Sequence, residues 1–204
     1  MRKHATPSPS ERKPRRADAE RSVSAILDAA IEGLASDPDV SMAEIARRAG
    51  VSRATTYVHF PTREVLVAAV TERAIADVAF ALAAAKPESG SATDALRRVL
   101  AAAWRELDRF HALVAINAHL PHEEFHRLHV PVLTHLKPLI ERGQRDGAFR
   151  TDVPLTWHLA MLLAIVHAAS GEMRAGRLPA DDVEDAMIAT ALGAVAGNAT
   201  RSRR

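Results

Sequence analysis

Apolar residues recur at every third or fourth position along most of the chain, as they do on one face of an α-helix. An early stripe runs from Ile26 to Leu34, and a late one from Val183 to Val195. Runs of Val, Thr and Tyr that would form strands are absent, and alanine, the strongest helix former, is the commonest residue. The pattern predicts an all-α protein.

The first predicted helix stops at residues 36–39, where Ser, Asp and Pro form a turn signal. The stretch from Ser41 to Glu44 is typical of a capping box. In that motif the Ser41 hydroxyl accepts from the backbone N–H of Glu44, and the Glu44 side chain reaches back to the start of the helix. Gly50 ends this short second helix.

Ser52 is placed to cap a third short helix that reaches Phe60, because Pro61 breaks the helical pattern. Thr62 caps a longer fourth helix. Residues 86–91 form a linker, after which helical periodicity resumes near residue 92 and continues to about residue 198. Further breaks are expected at 108–111, 121, 147–154 and 176–179.

The composition suits one ordinary folded domain or two small ones, with 204 residues, 48% apolar and 25% charged. Cysteine is absent, which excludes disulfides, thiolate zinc sites and cysteine nucleophiles and favours a reducing cytoplasm. The longest apolar run, residues 159–166, is far shorter than the roughly 20 residues that cross a bilayer. The basic N-terminal segment also lacks the apolar stretch of a signal peptide.

Positive charge is concentrated at the two ends of the chain. Residues 1–21 carry seven basic and three acidic groups, and Arg201, Arg203 and Arg204 end the sequence. We expect a disordered basic arm over 1–17 and a basic tail over 199–204. Both could contact polyanions, and both could equally be solvated ends.

Residues 41–60 have the layout helix, glycine-containing turn, short helix, which is the arrangement that places a second helix in the DNA major groove. The second helix would be about 13 Å long, against a groove about 12 Å wide. The positions expected to be exposed are polar, and Val51, Val58 and Phe60 are expected to hold the helix against its supports. By spacing alone, a generic helical hairpin with a polar face explains the pattern as well.

The residues themselves closely resemble the N-terminal domain of the TetR family of bacterial transcriptional regulators over about residues 20–70. The matching residues are Ala25–Ala30, Met42–Ala46, Ala49–Ser52, Thr55, Tyr57, His59–Pro61, Arg63, Glu64 and Leu66. A looser match follows at Leu139–Ile140, Arg142–Gln144 and Gly147–Arg150, which looks like the end of the family's seventh helix. The remainder diverges.

The resemblance implies DNA contacts at Ser41, Ser52, Arg53, Ala54, Thr55, Thr56, Tyr57, His59 and Arg63. In the family's pattern Ser41 binds phosphate, and Tyr57 and His59 grip the DNA backbone. Arg53, Ala54 and Thr55 face base edges, and Arg63 meets phosphate beside the N-terminus of the fourth helix.

Two positions depart from the family's pattern. Thr56 stands where leucine is common, so it either loosens packing or adds a base contact. Val58 stands where a long polar or aromatic side chain is frequent. The operator sequence therefore stays open.

The resemblance further implies a DNA-binding domain over 18–78 and an effector-binding and dimerisation domain over 79–198. Apolar residues surround the predicted helix at 157–166, as expected for burial on two sides, one of them against a partner subunit. The alternative is the core of a monomer. Candidates for a largely apolar effector pocket are Trp104, Leu107, Phe110, Asn117, Phe125, Trp157 and Met161, each of which could also be plain core.

Ten histidines raise a metal-binding alternative. Residues 122–126 match the H-E-x-x-H pattern of zinc proteases, but the third ligand is missing because residue 132 is Val and residue 145 is Arg. On one continuous helix, His122, His126 and His129 would share a face and could bind a regulatory metal.

The sequence therefore predicts a homodimeric, sequence-specific DNA-binding regulator, most simply a repressor that a small molecule releases from its double-stranded operator. We expect no catalytic residues, no cofactor and no membrane association. The alternatives are a metal-responsive helical protein and a nonspecific DNA binder that acts through its basic tails.

Overall fold

The computed structural model describes residues 9–117 and 120–197, without the side chains of residues 9–16 and 108. Within these residues it has ten α-helices and no strand, apart from one isolated antiparallel bridge between Phe149 and Ala196. The helices are α1 (Pro9–Ser36), α2 (Met42–Arg48), α3 (Arg53–His59), α4 (Arg63–Ala84), α5 (Ala92–Arg109), α6 (His111–Ile116), α7 (His122–Leu128), α8 (Val130–Arg145), α9 (Leu155–Arg174) and α10 (Ala180–Val195). The predicted all-α class is confirmed.

Residue contacts divide the chain into two compact units, one up to Thr71 and one from Glu72 onward. The division falls inside α4, whereas the sequence predicted a domain boundary after residue 78. At the N-terminal side, α1 begins at Pro9 rather than at 18. Residues 9–17 are therefore helical where a disordered arm was expected, in keeping with their content of Arg, Lys, Glu and Ala. Residues 1–8 and the predicted tail at 199–204 lie outside the described residues.

The first unit is built by α1, α2, α3 and the start of α4. α1 contacts both α2 and α3, and α2 contacts α3. Ile26, Leu34, Ile45 and Leu66 are almost completely buried, so α1, α2 and α4 contribute apolar residues to a shared core. The Arg63 guanidinium donates to the backbone carbonyls of Pro38 and Val40, which ties the start of α4 to the turn between α1 and α2.

The three predicted N-caps of this unit are present. The Ser41, Ser52 and Thr62 hydroxyls accept from the backbone N–H three residues on, at 3.2, 3.0 and 3.3 Å. The other half of the capping box was predicted wrongly. The Glu44 carboxylate accepts from Arg47 (2.6 and 2.8 Å) and Arg48 (2.9 Å), because charge-assisted bonds outcompete a backbone N–H.

The second unit packs α5 against α8, α9 and α10 around one apolar core. The segment between α4 and α5, predicted as a linker, is a turn held by two arginines. Arg98 donates to the carbonyls of Ala85, Lys86 and Ser89 at 2.7–3.1 Å. Arg142 donates to the carbonyls at positions 87 and 90 at 2.7 and 2.6 Å.

The breaks predicted at 121, 147–154 and 176–179 fall between helices, and the break predicted at 108–111 is confined to Phe110, between α5 and α6. One break was not predicted. His129, with φ −87° and ψ 1°, ends α7 and begins α8, so 122–135 is not one continuous helix. Pro131, which follows directly, is tolerated in the first turn of α8, where its missing N–H leaves no intrahelical hydrogen bond unmade. No described helix has the length and apolar character needed to cross a membrane.

Candidate nucleic-acid interface and ligand cavity

α3 presents a mixed polar and apolar face to solvent. Arg53, Ala54, Tyr57 and Val58 are exposed, Tyr57 by 50% and Val58 by 77%. These positions are spaced by one and four residues and therefore share one side of the helix. Thr55 and His59 are partly exposed. The surface combines a guanidinium, hydroxyls, an imidazole and apolar groups, the types of group that contact phosphates and base edges.

The predicted orientation of α3 was wrong at two positions. Thr56 is completely buried, and its hydroxyl donates to the Ser52 carbonyl at 3.3 Å, so it cannot reach a base. Val58, predicted to support the helix, is instead exposed to solvent. The buried pair is Thr56 and Phe60, one turn apart. Phe60 is a large apolar residue, and residues four positions apart lie on the same side of a helix. Counting back four residues from Phe60 would therefore have identified the buried side of α3 from the sequence.

The other predicted DNA contacts are placed as follows. Ser41 and Ser52 are exposed at the N-termini of α2 and α3, where they also cap the helices. Arg63 is partly buried and its guanidinium already binds two backbone carbonyls. Arg53 has no protein partner among the described residues, so its full charge faces solvent.

Charge on α2 is partly compensated. Hydrogen bonds from Arg47 and Arg48 lower the pKa of Glu44 to about 2. The carboxylate therefore stays ionised at neutral pH and offsets one of the two arginine charges beside α3. Arg53, which has no carboxylate partner among the described residues, is free to meet an anion.

A partly enclosed cavity of about 50 Å³ lies within the second unit. Its lining comes from α4, α5, α8 and α9 together with His129. All the described side chains that line it are apolar except two, His129 and His167. The volume is well below the roughly 300–1,000 Å³ of typical ligand pockets, so a larger occupant has to displace lining side chains.

The two histidines in the lining form a pair, in which His129 is buried and His167 is partly buried. Their Nε2 atoms are 3.2 Å apart, and His129 Nδ1 is 2.8 Å from the carbonyl oxygen of Phe125. The Phe125 ring packs on both imidazoles, with centroids 4.1 and 5.1 Å away. Burial lowers the pKa of His129, and burial together with the neighbouring His129 and Arg174 lowers the pKa of His167 to about 4.

The predicted ligand contacts are only partly brought together here. Leu107 lines the cavity, and Phe125 contacts the two histidines of the lining. The remaining five candidates do not line it. Trp104 and Phe110 are buried core, Met161 and Asn117 are partly buried elsewhere, and Trp157 is 61% exposed beside a shallow groove with Val153, Pro154 and Thr156. Trp157 is therefore not part of this cavity.

Sequence reasoning missed the His129–His167 pair because 38 residues separate its members. It had instead grouped His129 with His122 and His126. Those two side chains are exposed on α7, whereas His129 is buried at the helix break. Within the described residues, no group of three or more His, Asp or Glu side chains is arranged to hold a metal ion.

The exposed sides of α9 and α10 carry small residues. Ala160, Ala164 and Ala168 follow one another at four-residue steps on α9, and all are exposed. On α10, Ala189 and Gly193 are exposed in the same spacing. Such surfaces permit a close approach of another helix.

Comparison with known proteins points to one family. The model of the "Bacterial regulatory proteins, tetR family" matches residues 26–70, which contain α2 and α3. The transcriptional repressor LfrR of Mycolicibacterium smegmatis is 42% identical over 82 residues, which span 40% of this chain and 43% of that repressor. The aligned stretch thus spans less than half of the relative's length.

Solved structures extend the likeness to the whole fold. The TetR-like regulator LfrR from Mycobacterium smegmatis in complex with proflavine is 25% identical, with a TM-score of 0.68 over 86% of this chain and 97% of that one. A TetR family regulator from Marinobacter aquaeolei is 21% identical, with a TM-score of 0.66 over 89% and 99%. The second likeness shows the fold alone. Residues 26–70 therefore match the tetR family of bacterial regulatory proteins, and the fold of the chain is similar to that of the TetR-like regulator LfrR.

Proposed function

We propose that this protein is a sequence-specific transcriptional regulator that binds its operator as a homodimer and is released by a small-molecule effector. The observation that carries the proposal is the solvent-facing surface of α3, directly after α2 in a helix-turn-helix. Arg53, Tyr57 and Val58 project from that surface, which has the length and donor groups of a recognition helix. The likeness to a named transcriptional repressor supports the same conclusion.

Each exposed residue of α3 has a distinct role in this proposal. Arg53 is unpaired within the described residues and reads a base edge, where a guanidinium bonds two guanine acceptors. Tyr57 and His59 bind backbone phosphates, which fixes the helix in the groove without reading sequence. Ala54 and Val58 form an apolar strip one turn long that suits thymine methyl groups.

The homodimer part of the proposal rests on the small exposed residues of α9 and α10. Burying them against a second copy would use a surface that the single chain leaves open, and a dimer presents two recognition helices to two half-sites. The effector part rests on the cavity of the second unit and on the proflavine complex of LfrR. An occupant larger than about 50 Å³ moves the lining helices, among them α4, which leads to the DNA-binding unit.

The test is fluorescence anisotropy of the protein on its own upstream intergenic DNA and on a scrambled duplex, over a salt series. We expect the upstream DNA to bind about 10³-fold tighter at physiological salt. Tyr57→Ala should weaken binding to both duplexes, and Arg53→Ala should mainly reduce the ratio between them. Lys137→Ala, an exposed change on α8, is the matched control and should alter neither.

Equal and steeply salt-dependent binding to the upstream and scrambled duplexes would contradict the proposal and favour tail-driven, nonspecific binding. In a second stage, apolar small molecules, proflavine among them, are added to the preformed operator complex. An operator affinity that none of them changes would contradict release by an effector.

A further inference from the structure

We propose that the His129–His167 pair binds the head group of an apolar acid, a molecule with an apolar body and one carboxylate. This inference rests on the effector role proposed above and adds the chemical class of the effector. The geometry of the pair determines which ring nitrogens carry protons.

The Phe125 carbonyl fixes the tautomer of His129. A carbonyl oxygen only accepts, so the Nδ1 atom 2.8 Å from it carries the proton. In neutral His129 the Nε2 atom is therefore a bare acceptor. The Nε2 atom of His167, 3.2 Å away, carries the proton that it donates to His129. The pair thus presents one donor and one acceptor in an otherwise apolar cavity.

A carboxylate that enters between the two rings needs a donor for each of its oxygens. His167 Nε2 already carries one proton, and one added proton turns His129 Nε2 into the second donor. The proton adds to His129 Nε2, which then donates to one carboxylate oxygen while His167 Nε2 donates to the other. An acid that enters protonated transfers its own proton to His129 Nε2, and an acid that enters as its anion is joined by one proton from solvent. In both cases the complex is a neutral imidazolium–carboxylate pair, with one more proton than the separate protein and anion.

The charges around the pair favour an anion over a cation. Arg174 on α9 and His126 on α7 are the groups whose charge acts on the two histidines, and both disfavour added positive charge. The described cavity lining from α4, α5, α8 and α9 contains no carboxylate. Glu106 precedes the lining Leu107 on α5, and its carboxylate lies 3.7 Å from the guanidinium of Arg109. A cationic head therefore finds no counter-charge in the cavity, whereas a carboxylate finds donors and a positive field.

The body of the ligand follows from the other lining residues. They are aliphatic and come from four helices, so they offer dispersion contacts and no hydrogen bonds. Because the cavity holds only about 50 Å³, a flexible alkyl chain that pushes side chains apart fits the site better than a rigid polar molecule. The pKa of each histidine is lowered, so the pair is neutral at pH 7 before a ligand arrives and has a proton site to fill.

The test is isothermal titration calorimetry of the full-length protein at pH 7 with decanoate, decanol and decylammonium, which share one apolar body and differ in the head. We expect decanoate to bind about 10- to 100-fold tighter than decanol and decylammonium to bind weakest. Repeating the titration in two buffers of different ionisation enthalpy should show uptake of close to one proton per decanoate. Decanol should show none.

His129→Gln keeps an amide donor but takes no proton, so it should bind decanol like the unaltered protein and lose the preference for decanoate. His122→Gln, on the exposed side of α7, is the matched control and should retain the preference and the proton uptake. Operator binding by both variants checks that they are folded. The comparison of the three ligands on the unaltered protein does not depend on either variant.

The inference is overturned if decanol or decylammonium binds as tightly as decanoate, if decanoate binds without proton uptake, or if none of the three binds. These outcomes leave the proposed function intact, because operator binding is measured without any of these ligands. A loss of operator specificity would in turn contradict the proposed function without changing the calorimetric result.

Discussion

His129 and His167 show how burial changes the behaviour of single residues. His129 is buried and His167 partly buried, and the pKa of each is lowered because burial withdraws the water that stabilises the charged form. The same two rings satisfy each other through one hydrogen bond, and His129 also donates to the Phe125 carbonyl. Such a pair stabilises the fold only while both rings are neutral.

The stability of the protein should therefore fall between pH 6.5 and pH 4. The pKa of His167 is about 4 when folded and near 6.5 when unfolded, so over this range the unfolded chain binds more protons. The stabilisation that comes from neutral His167 is complete above pH 6.5 and is lost as the pH falls towards 4. Urea midpoints at pH 7 and pH 5, at one protein concentration, should drop less for His167→Gln than for the unaltered protein.

The exposed His122→Gln variant is the control and should keep the full pH dependence. Identical losses of stability in all three proteins would mean that the pH dependence does not come from His167.

Among the elements, the end of α8 depends on a glycine. A side chain at Gly143 would place its Cβ 2.0 Å from the Phe149 ring, which is 2% exposed. Phe149 reaches this position through a turn at Gly147, with φ +74°, and its N–H donates to the Gly143 carbonyl at 2.9 Å. The loosely matching stretch from Arg142 to Arg150 is thus a packing motif that closes the second unit.

Gly143→Ala should destabilise the protein by about 1–3 kcal/mol, because the Phe149 ring has to leave its place in the core. Urea unfolding monitored by circular dichroism measures this, with Lys137→Ala on the exposed side of α8 as the control. Isolated glycine-to-alanine changes inside helices usually stabilise. A stabilised Gly143→Ala variant would show that the ring moves without cost.

At the scale of the whole molecule, one chain leaves α9 and α10 with a surface of alanine and glycine that its own core does not use. A second copy of the chain is the partner that the proposed function requires, since an operator with two half-sites is read by two α3 helices. Association and operator binding are then linked, because separating the subunits also separates the recognition helices.

Ala164→Arg should convert the proposed dimer into monomers, because a long charged side chain would have to be buried in the close approach of two helices. Sedimentation velocity at micromolar concentration measures the change, and operator affinity should fall with it. Thr134→Arg adds the same charge on the exposed side of α8 and should leave both unchanged. An Ala164→Arg protein that sediments like the unaltered one would place the interface elsewhere.

The sequence by itself determined the helical class, most helix boundaries and the three hydroxyl caps, because periodicity and capping depend on residues within four positions of each other. Ser41, Ser52 and Thr62 cap as predicted, and the turn signals fall between helices. A motif of some fifty neighbouring residues also sufficed to indicate the family.

Only the tertiary structure decided which side of α3 is buried and which histidines meet. A helix of seven residues has too few apolar positions to determine which of its sides is buried. Its contacts with α1 and α2 decide this, and they leave Thr56 buried and Val58 exposed, the reverse of the prediction. His129 and His167 lie on elements far apart in the sequence, and only the packing of α8 on α9 brings them to 3.2 Å. Local sequence patterns indicate where helices form, whereas the chemistry of the His129–His167 pair depends on which helices, far apart in the sequence, pack together.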